Sequence, residues 1–253
     1  MYLEFFKLRE YPFNITPDPR FLYFARHHKE AYDHLIYGIQ SRKGFIELTG
    51  EVGSGKTTLC RAVLANLGNE VETALILNPT LTETQLLRAM LNDFGLEVRA
   101  KDRLAYIEKL NDFLLQKNHN GINVAVVIDE AQNLSPAVME QVRLLSNLET
   151  DQHKLIQIVM CGQPELKKRL ARPDLRQLRQ RITIRYHLSP LSQEDTAMYI
   201  RHRLWIAGSN NNITFEPGAI RELHRYSKGS PRLINAVSDN ALLAGYVNRT
   251  HTI

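Results

Sequence analysis

Apolar positions along this chain alternate between two kinds of run. Short, continuous apolar or β-branched stretches at 45–49, 73–77 and 124–128 have the length and composition of strands buried within a sheet. The intervening stretches at 82–94 and 101–117 carry apolar residues at helical spacing, and Ala31, Leu35, Ile36 and Ile39 do the same ahead of the first strand. A helix is predicted at 136–147, a strand at 155–160 and a β-branched, aromatic strand at 182–186. Strands separated by helices predict an α/β core with a mostly parallel sheet and helices on both faces. After Pro190 the pattern changes to helical periodicity at 195–207, 216–226 and 232–244, with scarcely any strand signal. The expected organisation is therefore a core over 43–190 and a small C-terminal helical lid over 191–253. Residues 1–42 form an N-terminal extended segment and helix expected to pack on the core. Within that segment, positions 11–23 hold three prolines and four aromatic residues, which favours an extended path against an apolar surface.

Composition narrows the class without naming a function. Of 253 residues 43% are apolar and 23% charged, a globular composition that excludes disordered and low-complexity chains. The two cysteines, Cys60 and Cys161, are too few for a disulfide framework, and they fall in or beside elements expected to be buried, where a thiol is inert. No leader opens the chain, and its apolar runs fall far short of the roughly 18 residues that cross a bilayer, so a soluble, cytoplasmic protein is expected. The net charge of +5 is uneven. From 167 to 185, eight cations (Lys167, Lys168, Arg169, Arg172, Arg176, Arg179, Arg181 and Arg185) face Asp174 alone. Such a stretch is either a solvated helical face or a surface for nucleic-acid phosphates.

The chemistry is carried by two motifs. Gly50-Glu51-Val52-Gly53-Ser54-Gly55-Lys56-Thr57 fits G-x-x-x-x-G-K-[ST] in full, follows a predicted strand and opens a predicted helix. Glycines let such a loop turn its N–H groups inward around phosphate oxygens, and the helix start adds favourable potential at the same point. The cradle is assigned to Gly50, Glu51, Val52, Gly53, Ser54, Gly55, Lys56, Thr57 and Thr58, with Lys56 on the β- and γ-phosphates of ATP and the Thr57 hydroxyl on Mg²⁺. The second motif is the apolar strand 124–128 followed by Asp129 and Glu130. Ligands of open α/β sheets bind at that carboxyl edge. Asp129 is read as a second Mg²⁺ ligand and Glu130 as the general base for water, which favours ATP hydrolysis over group transfer. The competing reading is that the two acids cap a helix beginning near Ser135.

The order strand, P-loop, strand, strand with Asp-Glu, strand, basic helix, strand, helical lid resembles the AAA+ ATPases. That resemblance implies further roles. Gln163, in Met160-Cys161-Gly162-Gln163, stands where the family senses the γ-phosphate, and Asn78 where it restrains the catalytic Glu. Arg232, in Gly229-Ser230-Pro231-Arg232, matches the sensor arginine that opens a lid helix. Arg181 is the first choice for an arginine finger lent to a neighbouring subunit, with Arg179 and Arg176 behind it. The base pocket is expected between the segment before the P-loop and the lid, with Phe13, Ile15 and Ile234 as guesses.

The opening Met1-Tyr2-Leu3-Glu4-Phe5-Phe6, the segment 12–23, and the strings Gly162-Gln163-Pro164-Glu165-Leu166 and Gly229-Ser230-Pro231-Arg232-Leu233-Ile234-Asn235 are similar to the ExeA family, which includes general secretion pathway protein A and the MshM protein of MSHA pilus biogenesis. The resemblance implies an oligomeric ATPase, in a ring, that powers assembly of an envelope secretion or pilus system at the inner face of the inner membrane. Members with a membrane helix and a peptidoglycan-binding region extend beyond what this sequence holds, which makes it either a short member or an ATPase domain cut near Ile253. Two alternatives remain: a DNA-binding transposition regulator of the TniB or TnsC type, which shares the Asp-Glu-Ala-Gln string, and a nucleotide-dependent scaffold with low turnover.

Overall fold

The computed structural model describes residues 2–77, 80–97 and 102–253. In chain order the elements are α1 (Tyr2–Phe6), α2 (Arg26–Gln40), β1 (Phe45–Gly50), α3 (Lys56–Asn66), β2 (Val71–Ile76), α4 (Glu83–Asp93), α5 (Arg103–His119), β3 (Asn123–Ile128), α6 (Pro136–Leu145), β4 (Gln157–Gly162), α7 (Pro164–Leu170), α8 (Arg176–Arg181), β5 (Ile182–Leu188), α9 (Gln193–Ile206), α10 (Pro217–Ser227) and α11 (Pro231–Val247). The five strands form one sheet in the order β2-β3-β4-β1-β5, and the pairs β2–β3, β3–β4 and β4–β1 are all parallel. Parallel neighbours bring the carboxyl ends of β1, β3 and β4 to one edge of the sheet, where loops collect. The α/β core expected from the hydrophobic pattern is present.

Local chemistry explains where the elements begin. Thr82 and Gln85 make a reciprocal capping box at the start of α4, and Ser192 and Asp195 do the same for α9. Ser135 accepts from the Val138 N–H and Pro136 occupies the first turn of α6, so that helix supplies its own cap. β3 is buried along its whole length, which its run Asn-Val-Ala-Val-Val-Ile requires.

β4 differs from expectation: it runs Gln157–Gly162 rather than 155–160. A polar residue opens this fully buried strand because its amide is satisfied. Gln157 Oε1 accepts from the Gly44 N–H at 2.7 Å, while its Nε2 donates to Asn123 Oδ1 and to the Lys154 carbonyl. Hydrophobicity alone places the strand two residues early, since Leu155 and Ile156 are buried just ahead of it.

By their contacts the described residues divide into two compact units: residues 2–29 with Glu51–Leu59 and Leu188–Ile253, and Glu30–Gly50 with Cys60–His187. The second holds the sheet, its core built from Leu86, Met90, Leu110, Val126, Ile158 and Met160 among others. The first has its own core, in which Phe6, Phe13 and Phe21 pack with Leu191, Tyr199, Ile234 and Leu242. Within it, buried Arg203 ties down the proline-rich segment. Its guanidinium donates to the carbonyls of Pro12 and Asn14 and lies 4.6 Å from the Phe21 ring centre. No described helix is long and apolar enough to cross a membrane.

Candidate functional site

The P-loop belongs to the first unit. Gly53 and Gly55 have φ of +75° and +95°, a region that L side chains rarely adopt, so glycine is required at both turns. Lys56 opens α3 and is 6% exposed, with Nζ donating to the Glu51 carbonyl at 2.9 Å across the base of the loop. The start of α11 lies directly behind this loop. The Arg232 N–H donates to the Gly53 carbonyl at 3.2 Å, and the Ser230 hydroxyl lies 3.5 Å from the carbonyls of Val52 and Gly53. A Cβ on Gly53 would stand 2.6 Å from Arg232 Cβ. Gly229, at φ +76°, permits the approach: a Cβ there would meet the Leu191 carbonyl oxygen at 2.0 Å. The Gly-Ser-Pro-Arg string is thus the segment that packs the start of α11 onto the P-loop, and it leaves the Arg232 side chain exposed.

A second contact to the loop was not foreseen in the sequence. His28, in the first turn of α2, points a ring nitrogen at the Ser54 carbonyl and lines a narrow cavity with Phe21, Tyr23, Gly55, Leu191 and Tyr199. None of the three guessed base-pocket residues lines this cavity. Phe13 and Ile234 are spent in the core, and Ile15 is exposed. The available signal was the aromatic and proline-rich run itself, whose Phe21 and Tyr23 are the residues that reach the cavity.

The carboxylates belong to the second unit. Asp129 leaves β3 3% exposed, its Oδ1 accepting from the Glu130 N–H at 2.8 Å. Glu130 has φ 50° and ψ 35°, a left-handed conformation that costs a residue with a side chain about 1–3 kcal/mol and persists where the surroundings hold it. The holding groups are visible. Glu130 Oε2 accepts from Gln132 Nε2 at 2.5 Å and from Gln163 Nε2 at 3.1 Å. Gln132 Oε1 in turn accepts from the Gln163 N–H at 3.0 Å. Arg169 clamps the same turn by donating to the carbonyls of Gln132 and Leu134. A Cβ on Gly162 would stand 2.7 Å from Gln132 Oε1, so a glycine before Gln163 makes room for this network. Both amides converge on one carboxylate oxygen, which fixes the group. The acids do not cap α6, whose cap is Ser135.

Gln132 is the residue that motif reading passed over; its signal was the Gln two positions after Glu130 in Asp-Glu-Ala-Gln. Asn78 lies outside the described residues. Cys60 and Cys161 are buried. In the basic stretch the cations separate by use. Arg169 serves the Glu130 turn, Arg172 pairs with Asp174, and Arg185 lies 3.3 Å from Glu47. Arg181 Nη1 donates to the Arg143 carbonyl at 3.2 Å, to Asn147 Oδ1 at 2.7 Å and to the Ser146 hydroxyl, tying α8 to the end of α6. Arg176 and Arg179 are exposed on α8.

Residues 39–170 match the family model described as an AAA domain. The chain is 50% identical over 254 residues to general secretion pathway protein A of Aeromonas hydrophila, an alignment covering all of this chain and 46% of that protein. It therefore spans just under half the length of that relative. Among solved structures, Cdc6p of Pyrobaculum aerophilum superposes with a TM-score of 0.74 at 16% identity, covering 96% of this chain and 67% of that one. ORC2 of Aeropyrum pernix, solved as ADPNP–ADP complexes, superposes at 0.70 and 17% identity, covering 96% and 68%. At such identities these two likenesses speak to fold alone, and they bear out the AAA+ core architecture.

Proposed function

From a chain that belongs to the AAA domain family, we propose an ATP-hydrolysing subunit of an oligomeric machine that drives assembly of an envelope secretion or pilus system. The observation that carries the ATPase reading is that the chain holds both a complete Walker A loop, buried Lys56 included, and a strained Glu130 held by two amides. The secretion reading is supported by half-identity to general secretion pathway protein A. MshM-like pilus biogenesis is the variant of it that the resemblance leaves open.

The residues present fit a nucleotide and a magnesium ion. Gly53 and Gly55 provide the backbone turns a phosphate cradle needs, and Lys56 the cation. Thr57 and Asp129 are the proposed magnesium ligands; the ion, when bound, would neutralise charge on the β- and γ-phosphates. Glu130 takes the proton of the attacking water as its oxygen bonds to the γ-phosphorus and the bond to the ADP oxygen breaks. Gln163 and Gln132 keep the Glu130 carboxylate in one rotamer. Arg232 is proposed as the lid's sensor of the γ-phosphate.

A finger in trans is proposed from α8. Arg181 is held by three acceptors of its own chain, so the reading moves to exposed Arg179 and Arg176, with Arg181 serving only where assembly exchanges those partners. A cytoplasmic position at the inner face of the membrane follows from the same family reading.

Turnover of ATP measured with and without duplex DNA, beside Lys56→Ala, tests the proposal. Hydrolysis indifferent to DNA and abolished in Lys56→Ala supports it. Stimulation by duplex DNA would favour the transposition-regulator reading, and nucleotide binding without turnover the scaffold.

A further inference from the structure

β1, the strand that leads into the P-loop, is buried at every position, yet its third residue is a carboxylate: Glu47 is 4% exposed. A charge taken out of water is costly unless it is paired. Its partner is Arg185 of β5, whose Nε lies 3.3 Å from Glu47 Oε2. A guanidinium is a rigid fork, so a carboxylate on one nitrogen fixes where the others point. Here Nη2 donates to the Arg179 carbonyl at 2.6 Å. That carbonyl lies in the last turn of α8 and also accepts from the Ile182 N–H, so the arginine completes the end of the helix. α8 has only six residues, too few to hold a helix by its own hydrogen bonds. Its pose is set by what ties it: Leu178 buried in the core, the bonds of Arg181 to Arg143, Ser146 and Asn147, and the bond from Arg185. Of these ties, the last acts on Arg179 itself, whose side chain stands exposed. Arg179 and Lys167 also lie near enough for their charge to act on the Glu47 carboxylate. Every residue of this set belongs to the second unit.

We propose that Glu47 and Arg185 are a positioning pair for the arginine finger: Glu47 orients Arg185, and Arg185 holds the Arg179 backbone so that the Arg179 guanidinium reaches the nucleotide of a neighbouring subunit. The inference rests on the reading of α8 as the source of a finger in trans. A finger acts only within hydrogen-bond reach of the developing charge, and a misplacement of about 1 Å caused far from the chemistry can cost about 10²-fold in rate. Neither residue of the pair is asked to touch the nucleotide. Because half-exposed ion pairs add little to stability, loss of the Arg185 end should be read in turnover more than in melting.

Steady-state ATP hydrolysis by Arg185→Gln and Glu47→Leu, alone, combined and in mixtures, tests this. Each single variant should lose about ten- to a hundredfold in turnover per subunit with ATP affinity within about threefold of the wild type. The double variant should lose no more than the worse single, because the two residues act as one unit. Mixing separates positioning in trans from a defect within the subunit. Arg185→Gln keeps its own Lys56 and Glu130, so Glu130→Gln subunits, which keep Arg179, should restore its activity, whereas Arg179→Ala subunits should not. Failure of Glu130→Gln to rescue would make the fault a structural one within the subunit and overturn the proposal. Arg185→Gln turnover within about threefold of the wild type, where Arg179→Ala loses it, would also overturn the proposal and leave the finger reading standing. Loss in Arg185→Gln with none in a folded Glu47→Leu would mean that Arg185 acts without its partner, which overturns the pair. Should Glu47→Leu not fold, Arg185→Gln and its mixtures decide. Full turnover in Arg179→Ala would instead sink the finger reading, and this inference with it.

Discussion

The turn after β3 and the P-loop with its lid solve the same problem, holding a functional group in a costly conformation, by different means. At the β3 turn the strained element is one residue, Glu130, and the restraint is polar and short-range: Gln132 two positions on, Gln163 at the end of the next strand, Arg169 on α7. At the P-loop the strain is absorbed by glycines, and the restraint is a set of contacts to the loop's own carbonyls from distant stretches: the Arg232 N–H and the Ser230 hydroxyl at the start of α11, and the His28 ring from the N-terminal region. Side-chain amides specify one carboxylate rotamer. Contacts to backbone carbonyls specify the path of a loop.

The largest expected effect tests whether either region is complete in one subunit. Arg179→Ala should lower hydrolysis per subunit by about 10³-fold or more, as loss of an arginine finger does, while ATP affinity is largely kept. Wild-type turnover per subunit should rise with protein concentration, and mixing Arg179→Ala with Glu130→Gln should restore activity that neither has alone. Arg181→Ala, which strands Ser146 and Asn147, should mainly lower the melting temperature. If Arg181 carries the catalytic loss instead, its bonds to α6 are exchanged on assembly.

Next in size is the amide clamp. Gln132→Ala removes both a donor to Glu130 and an acceptor for the Gln163 N–H, and should cut turnover about ten- to a hundredfold with ATP affinity within threefold. Loss of affinity in step with turnover would show that this turn does not act on the carboxylate alone. A smaller effect is expected at the loop. Gly53→Ala must accept both φ +75° and a clash with Arg232, whereas Gly68→Ala at φ +71° meets nothing within 4 Å. Both variants should lose stability from backbone strain, of order 1–3 kcal/mol. Only Gly53→Ala should also weaken ATP binding, as read by calorimetry beside thermal melts.

The smallest effect has opposite signs in the two units. Burial lowers the pKa of His28 in the first. The unfolded chain therefore binds more protons near and below pH 6.5, and stability falls as pH drops through that value. Burial raises the pKa of Glu47 in the second, against the pull of Arg185. There the folded chain binds more protons, and stability falls as pH rises above about 4.5. Denaturant melts across pH 4–8 should show the first slope flattened in His28→Phe and the second in Glu47→Gln.

The same contrast explains what the sequence disclosed. The β3 turn was legible because its key residues are adjacent and follow an unbroken apolar run, and Gln163 because it closes the next strand. Gln132 lay inside the motif and escaped notice because an amide so near a carboxylate has no periodicity to mark it. The P-loop was legible as a string, but its supports were not. His28 sits in a helix whose apolar stripe, Ala31, Leu35 and Ile39, gives no reason to single it out, and only the fold brings it to Ser54. The start of β4 was misplaced for a related reason: Gln157 reads as surface until Gly44 and Asn123, both distant in the chain, are seen to pair with it.

Phosphate release from Mg·ATP by Glu130→Gln, measured beside the wild type with bound nucleotide counted in both, tests the central claim most directly. Glutamine keeps the shape and can still meet the two amides through its own carbonyl, but cannot take the proton of water. The account predicts that ATP binds and persists on the variant while release falls by about 10²–10⁴-fold. Release within about threefold of the wild type would contradict it.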